Sequence, residues 1–188
     1  MTINEIFSKL STHMIQGMMV HEQLMNSYRF LSLFGYAKCH EYHYLEETIG
    51  HIRLLEFVTN RYDFLVPPGR PEDPEIIPEK WYYKERRQSV PAQEKVEAIK
   101  ATFNEWIRWE SETLSLYKAA YQDLFSANEL DAANFINEYI TDVSRELIYA
   151  KNELIAKESM NYDMPSILEE QKDYEKLFSK KIRKSRKG

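Results

Sequence analysis

The sequence predicts an all-α protein, a four-helix bundle with one long crossover, from three observations. Six of its seven prolines fall between Pro67 and Pro91 and the seventh is Pro165, so residues 2–66 and 92–164 are free of the strongest helix breaker. Both stretches carry apolar residues at helical rather than alternating spacing. Each is longer than one globular helix and contains one place to turn. The order of connections is therefore short, long, short, which makes two antiparallel helix pairs joined by a segment able to run the length of the bundle.

The first helix is expected over about 3–34 and the second over about 38–64, with Gly35 at the turn between them. VPPGRPEDPEIIPEKWYYKERRQSVP is the crossover, with a short helix near 79–87 and an aromatic cluster at Trp81, Tyr82 and Tyr83. The third helix is expected over about 92–125. SANEL then supplies a turn at Ser126–Asn128, and the fourth helix runs over about 129–159. NYDMP ends it. The bundle domain thus spans 1–160, and 161–188 holds a short amphipathic segment, SILEEQKDYEKLF, and a basic C-terminal tail.

Composition narrows the class. Hydrophobic content of 43% and charged content of 29% are those of a soluble globular domain. No apolar run approaches the roughly 18 residues of a membrane span. MTINEIFSKL lacks the pattern of a signal peptide, and a single cysteine, Cys39, suits a reducing compartment, so a cytoplasmic location is expected. Net charge is −5, yet the stretch from Lys176 to the end has seven basic residues and no acid. The remainder therefore carries about −12, the difference between those two numbers. A basic tail over 176–188 is either a solubilising extension or a contact for nucleic acid or another polyanion.

Polar residues that interrupt the apolar stripes are the candidates for chemistry. His21 sits in the stripe Leu10, Met14, Gly17, His21, Leu24, Tyr28, Leu31. On the second helix Glu47 and His51 point inward, whereas His43 lies nearer the helix end and is expected to meet solvent. On the third, Glu110 stands between Trp106 and Leu114. The fourth helix has a fully apolar stripe with Asp142 and Glu146 on its edge. A buried imidazole or carboxylate without a partner costs several kcal/mol, roughly, so such residues on three helices at similar height point to one shared site. Imidazole and carboxylate donors suit iron, manganese or zinc. The competing explanation is separate pairing, for example Glu110 with Arg53 or Arg145.

These features resemble the ferritin-like superfamily of ferritins, rubrerythrins and DNA-protecting mini-ferritins, over about residues 10–158. Ser27-Tyr28-Arg29-Phe30-Leu31-Ser32-Leu33 looks like the small–aromatic–x–aromatic–Leu run of the family's first helix. GYAKCHEYHYLEETIGH is similar to the start of its second, where an acidic pair precedes a ligand histidine. The resemblance implies a bundle that binds iron in its core and oxidises Fe(II) or consumes peroxide. It also implies self-association into a dimer or larger assembly. The metal ligands it implies are His21, Glu47, His51 and Glu110, with Asp142 or Glu146, and Tyr28 as an electron relay. One alignment of the first helix sets His21 at the family's glutamate, and another sets Gln23 there. The family's Glu-x-x-His is shifted here, because Thr48 stands three before His51 and Glu47 four before it. No such motif follows Glu110 or Asp142, and neither the mini-ferritin pattern nor the late His-x-x-x-His of DinB-like bundles is found. The alternative is a non-enzymatic bundle that has lost the site and uses its basic tail for nucleic acid or a partner.

Overall fold

The computed structural model describes residues 1–62, 64–66 and 90–186. The crossover's expected short helix and its Trp81, Tyr82 and Tyr83 lie outside them. Among the described residues there are five helices and no strand: α1 (Ile3–Phe30), α2 (Phe34–Tyr62), α3 (Ala92–Ser126), α4 (Leu130–Ser159) and α5 (Met164–Ser185). None of them is long and apolar enough to cross a membrane.

The ends follow from local chemistry. Thr2 caps α1 through Glu5 N–H, while Glu5 reaches back to the Thr2 N–H, a reciprocal capping box. Each short turn reverses through left-handed backbone: Ser32 (φ 60) between α1 and α2, and Asn128 (φ 61) between α3 and α4. Asn161 (φ 48) and Tyr162 (φ 54) do the same before α5, which Asp163 caps and Pro165 enters in its first turn.

Gly35 is not the turn residue that the sequence suggested. It sits in the first turn of α2, where a Cβ would stand 2.3 Å from the backbone oxygen of Gln171. Its job is to let α5 lie backbone-close against α2. The segment expected as a short amphipathic stretch and tail is one helix through Ser185. It buries Ile167, Tyr174, Phe178 and Ile182 against α2 and its neighbours.

Two apolar halves make up the core. One gathers Phe7, Leu10, Met14, Leu54, Val58, Leu124 and Ile136. The other gathers Leu24, Tyr28, Tyr36, Ile99, Phe103, Trp106 and Phe178. Both α2 and α3 run from the second half to the first, so they are parallel, as a bundle with one crossover requires. Between the halves lies a polar layer.

Candidate metal centre

All four bundle helices contribute to that layer. His21 of α1, His40 and His43 of α2 and Glu110 of α3 are between 1% and 5% exposed. Glu146 of α4 is three-quarters buried at its side chain. Glu47 is half-buried, and its carboxyl lies in a notch left by Gly17, where a Cβ would meet Glu47 Oε1 at 2.8 Å.

The contacts run in two connected pairs. His21 Nε2 is 3.8 Å from Glu110 Oε1, which accepts the Trp106 indole N–H at 3.0 Å. On the other side of its ring, His21 Nδ1 is 3.1 Å from His40 Nδ1. His43 Nδ1 is 3.4 Å from Glu146 Oε2. Yet His21 Nε2 and both nitrogens of His43 are buried without an aligned hydrogen-bond partner. Imidazole nitrogens left so are expensive, and a ligand would satisfy them.

Charge points the same way. Burial, followed by the neighbouring Glu146 carboxylate, pushes the Glu47 carboxyl up to about 8. Burial and then Glu146 also raise Glu110 well above the carboxylate range, with Glu47 adding to it. Burial, with His43 and His40 beside it, keeps His21 neutral. Burial alone would lower His43, but Glu146 and the Cys39 thiol together hold it well above its ordinary value. Three carboxyls thus repel one another across the layer, and the positive charge acting on Glu47 and Glu110 most is His43.

Other residues to which the sequence pointed sit elsewhere. His51 is half-buried with Nε2 2.9 Å from Ser11 Oγ, two turns and about 12 Å along α2 from His43. Asp142 is exposed and pairs with Arg145 at 3.4 Å. Arg53 pairs with Glu138 at 2.8 Å, so neither arginine partners Glu110. Tyr28 is buried, stacked on His40 at 5.5 Å, with its hydroxyl bonded to Thr102. His43, expected at the surface, is inside, and so is His40, which stands on the same face as Tyr44, Glu47 and His51. His40 faces the bundle, against His21, Tyr28 and Trp106, whereas His43 lies between Trp106 and Phe178 of α5, which closes over it. The spacing of His40 four before Tyr44 and seven before Glu47 is the signal that could have found His40.

Two clefts reach the layer from the α2–α4 side. One, of about 330 Å³, is bounded by Tyr42, Tyr149, Phe178 and Lys181 with His43 and Glu146 within it. The other, of about 160 Å³, is bounded by Glu46, Glu47, Asp142 and Tyr139 and meets the same pair. The donor types fit iron, manganese or zinc. As the side chains stand, no three His, Cys, Asp or Glu among the described residues are gathered closely enough to hold one ion.

No family model matches the sequence, and no curated protein matches it. Solved structures do resemble it. An open-pore ferritin from the hyperthermophilic archaeon Archaeoglobus fulgidus superposes with a TM-score of 0.73, 14% identical, over 91% of this chain and 93% of that one. A humanized archaeal ferritin gives 0.71 at 14% identity over 92% and 94%. An engineered closed form of the Archaeoglobus fulgidus ferritin gives 0.68 at 15% over 93% and 97%. The chain therefore has the ferritin-like fold, a four-helix bundle with a fifth helix added.

Proposed function

We propose that this protein takes up iron, or a metal of similar ligand preference such as manganese or zinc, between the two apolar halves of its bundle and oxidises Fe(II). The observation that carries the reading is the layer itself: three mutually repelling carboxyls and two imidazoles with orphaned nitrogens, drawn from all four helices. Glu47, Glu110 and Glu146 would hold the cation with His21 and His43. His40 would set the orientation of His21 through the ring nitrogen that the metal does not need. Iron there supplies one-electron exchange between Fe(II) and Fe(III) with dioxygen or peroxide as acceptor. Binding requires the pairs His21–Glu110 and His43–Glu146 to open toward a shared ion and Glu47 and Glu110, whose carboxyls burial raises, to give up their protons. The ferritin-like fold supports the same reading and extends it to self-association as a dimer or larger assembly in the cytoplasm.

Anaerobic Fe(II) titration with elemental analysis, and mass in solution on the same sample, test it. Wild-type protein should retain iron and oxidise it on exposure to air. Glu110→Gln, which keeps the shape of the side chain, should weaken uptake roughly tenfold or more with helicity unchanged. Protein that retains no metal and oxidises Fe(II) no faster than buffer sinks the reading.

A second reading has its own observation. Lys172, Lys176, Lys180, Arg183 and Lys184 lie along one exposed side of α5 with Glu175 among them, a mainly basic ridge in which Lys172 and Lys176 pair with Glu169 and Asp173. Such a ridge suits nucleic acid or another polyanion.

A further inference from the structure

α4 and α5 run antiparallel and are tied at two points, Lys157 to Glu170 at 2.7 Å and Tyr149 to Tyr174 at 2.8 Å. Beyond Tyr174 they part, and with α2 they enclose the cleft of about 330 Å³. That volume is at the lower end for ligand pockets, room for a single ring with its substituents. The walls are themselves rings: Tyr42 and Phe178 stand 5.8 Å apart at 45°, with Tyr149 on the α4 side. At the inner end is His43, 5% exposed, with Glu146 3.4 Å from its Nδ1 and neither ring nitrogen in an aligned hydrogen bond. At the mouth stand two exposed bases and two exposed acids. Arg145 and Asp142 pair with each other at 3.4 Å. Lys181 of α5 lies over the Tyr42 and Phe178 rings at 4.8 and 5.0 Å, and Glu46 of α2 accepts the Tyr42 hydroxyl. Neither Lys181 nor Glu46 forms an ion pair among the described residues.

We propose that this cleft binds a free amino acid with a hydroxylated aromatic ring, of which tyrosine is the simplest. Each part of such a molecule has a counterpart. Its α-carboxylate meets Lys181 and its α-ammonium meets Glu46, so a zwitterion gives each of these two charges its opposite. Its ring fills the space between Tyr42, Tyr149 and Phe178, where offset or edge-to-face aromatic contacts are favourable. Its hydroxyl reaches His43, and because a hydroxyl both donates and accepts, it suits that imidazole in either protonation state. A residue within a peptide lacks both charged ends, and a simple phenol leaves the mouth unmatched. The site shares His43 and Glu146 with the iron reading but does not depend on it.

Calorimetric titration of the full-length protein, with no metal added, tests it. L-tyrosine should bind saturably. L-phenylalanine, which lacks the hydroxyl, tyramine, which lacks the carboxylate, and para-hydroxyphenylpropionate, which lacks the ammonium, should each bind roughly tenfold more weakly. Leu177 lines the cleft from an exposed position outside the polar layer. Leu177→Trp should fill the cleft and abolish tyrosine binding with helicity and iron uptake unchanged. Lys181→Gln should weaken tyrosine roughly tenfold and leave tyramine as it was. No saturable heat with L-tyrosine up to its solubility limit overturns the site. Equal binding of all four compounds, or full tyrosine binding by Leu177→Trp, overturns it too. These outcomes leave the iron reading standing, because no metal takes part in the titration.

Discussion

His13 sits about two turns before His21 on α1, outside the polar layer. Its ring is stacked on Trp109 at 4.2 Å and 10°, and its Nε2 is 2.7 Å from Thr113 Oγ1. Burial, with Lys9 contributing, lowers its pKa from 6.5 to about 4. The unfolded chain therefore binds a proton at a pH where the folded chain does not. His13 favours folding fully above 6.5, and that advantage is lost as pH falls from about 6.5 to about 4. Allowing for its partial exposure, the loss is on the order of 1–2 kcal/mol. Urea denaturation at pH 7 and pH 4.5 should show a smaller fall in stability for His13→Gln than for wild type. At this scale the sequence is readable where a polar residue interrupts a clean apolar stripe, as His21 and Glu110 do, and both are inside. It is harder to read at His43, which shares the face of Glu47 and His51 but stands near the start of its helix, where Phe178 of α5 covers it.

Among the elements, α5 depends on a charge group as much as on its apolar side. Lys157 of α4 is fully buried, with Nζ 3.0 Å from Glu153 and 2.7 Å from Glu170 of α5. Glu170 also accepts the Tyr36 hydroxyl, and Gln171 accepts the Tyr36 backbone N–H, so α2, α4 and α5 are tied at one point. Lys157→Met would leave two carboxylates facing each other with no cation between them. The cost should be about 2 kcal/mol, below the 3–5 kcal/mol, roughly, of a fully buried pair because both acids keep some water. Hydrogen exchange should quicken in α5 before it does in α1 or α3, and adding Glu170→Gln should restore part of the loss. Equal exchange along α5 in the single variant would contradict this. The helix bounds themselves are close to readable because prolines and turn residues mark them locally. The length of α5 is not, since its last turns look, in isolation, like a solvated basic run.

For the whole molecule, the separation of charge has a measurable consequence. An acidic body with a cationic ridge on α5 should retard DNA at low salt, and the binding should weaken steeply as salt rises. Replacing Lys176, Lys180 and Lys184 with glutamine should flatten the dependence by about 0.9 in log–log slope for each phosphate that is no longer neutralised. No retardation at low salt would remove the polyanion reading. The class of fold is readable from proline placement and connection lengths because a bundle with one crossover has few alternatives. Which polar residues meet is not, because that depends on how each helix is rotated about its axis.

The polar layer also fixes how the helices may slide. A shift of any one helix by a turn, about 5.4 Å, would carry His43, Glu110 or Glu146 into an apolar half and leave its partner behind. Long helices with repetitive apolar stripes otherwise tolerate such slips. The cluster is thus an index mark for the bundle, setting a single register among four rods, and it does so with or without an ion between them.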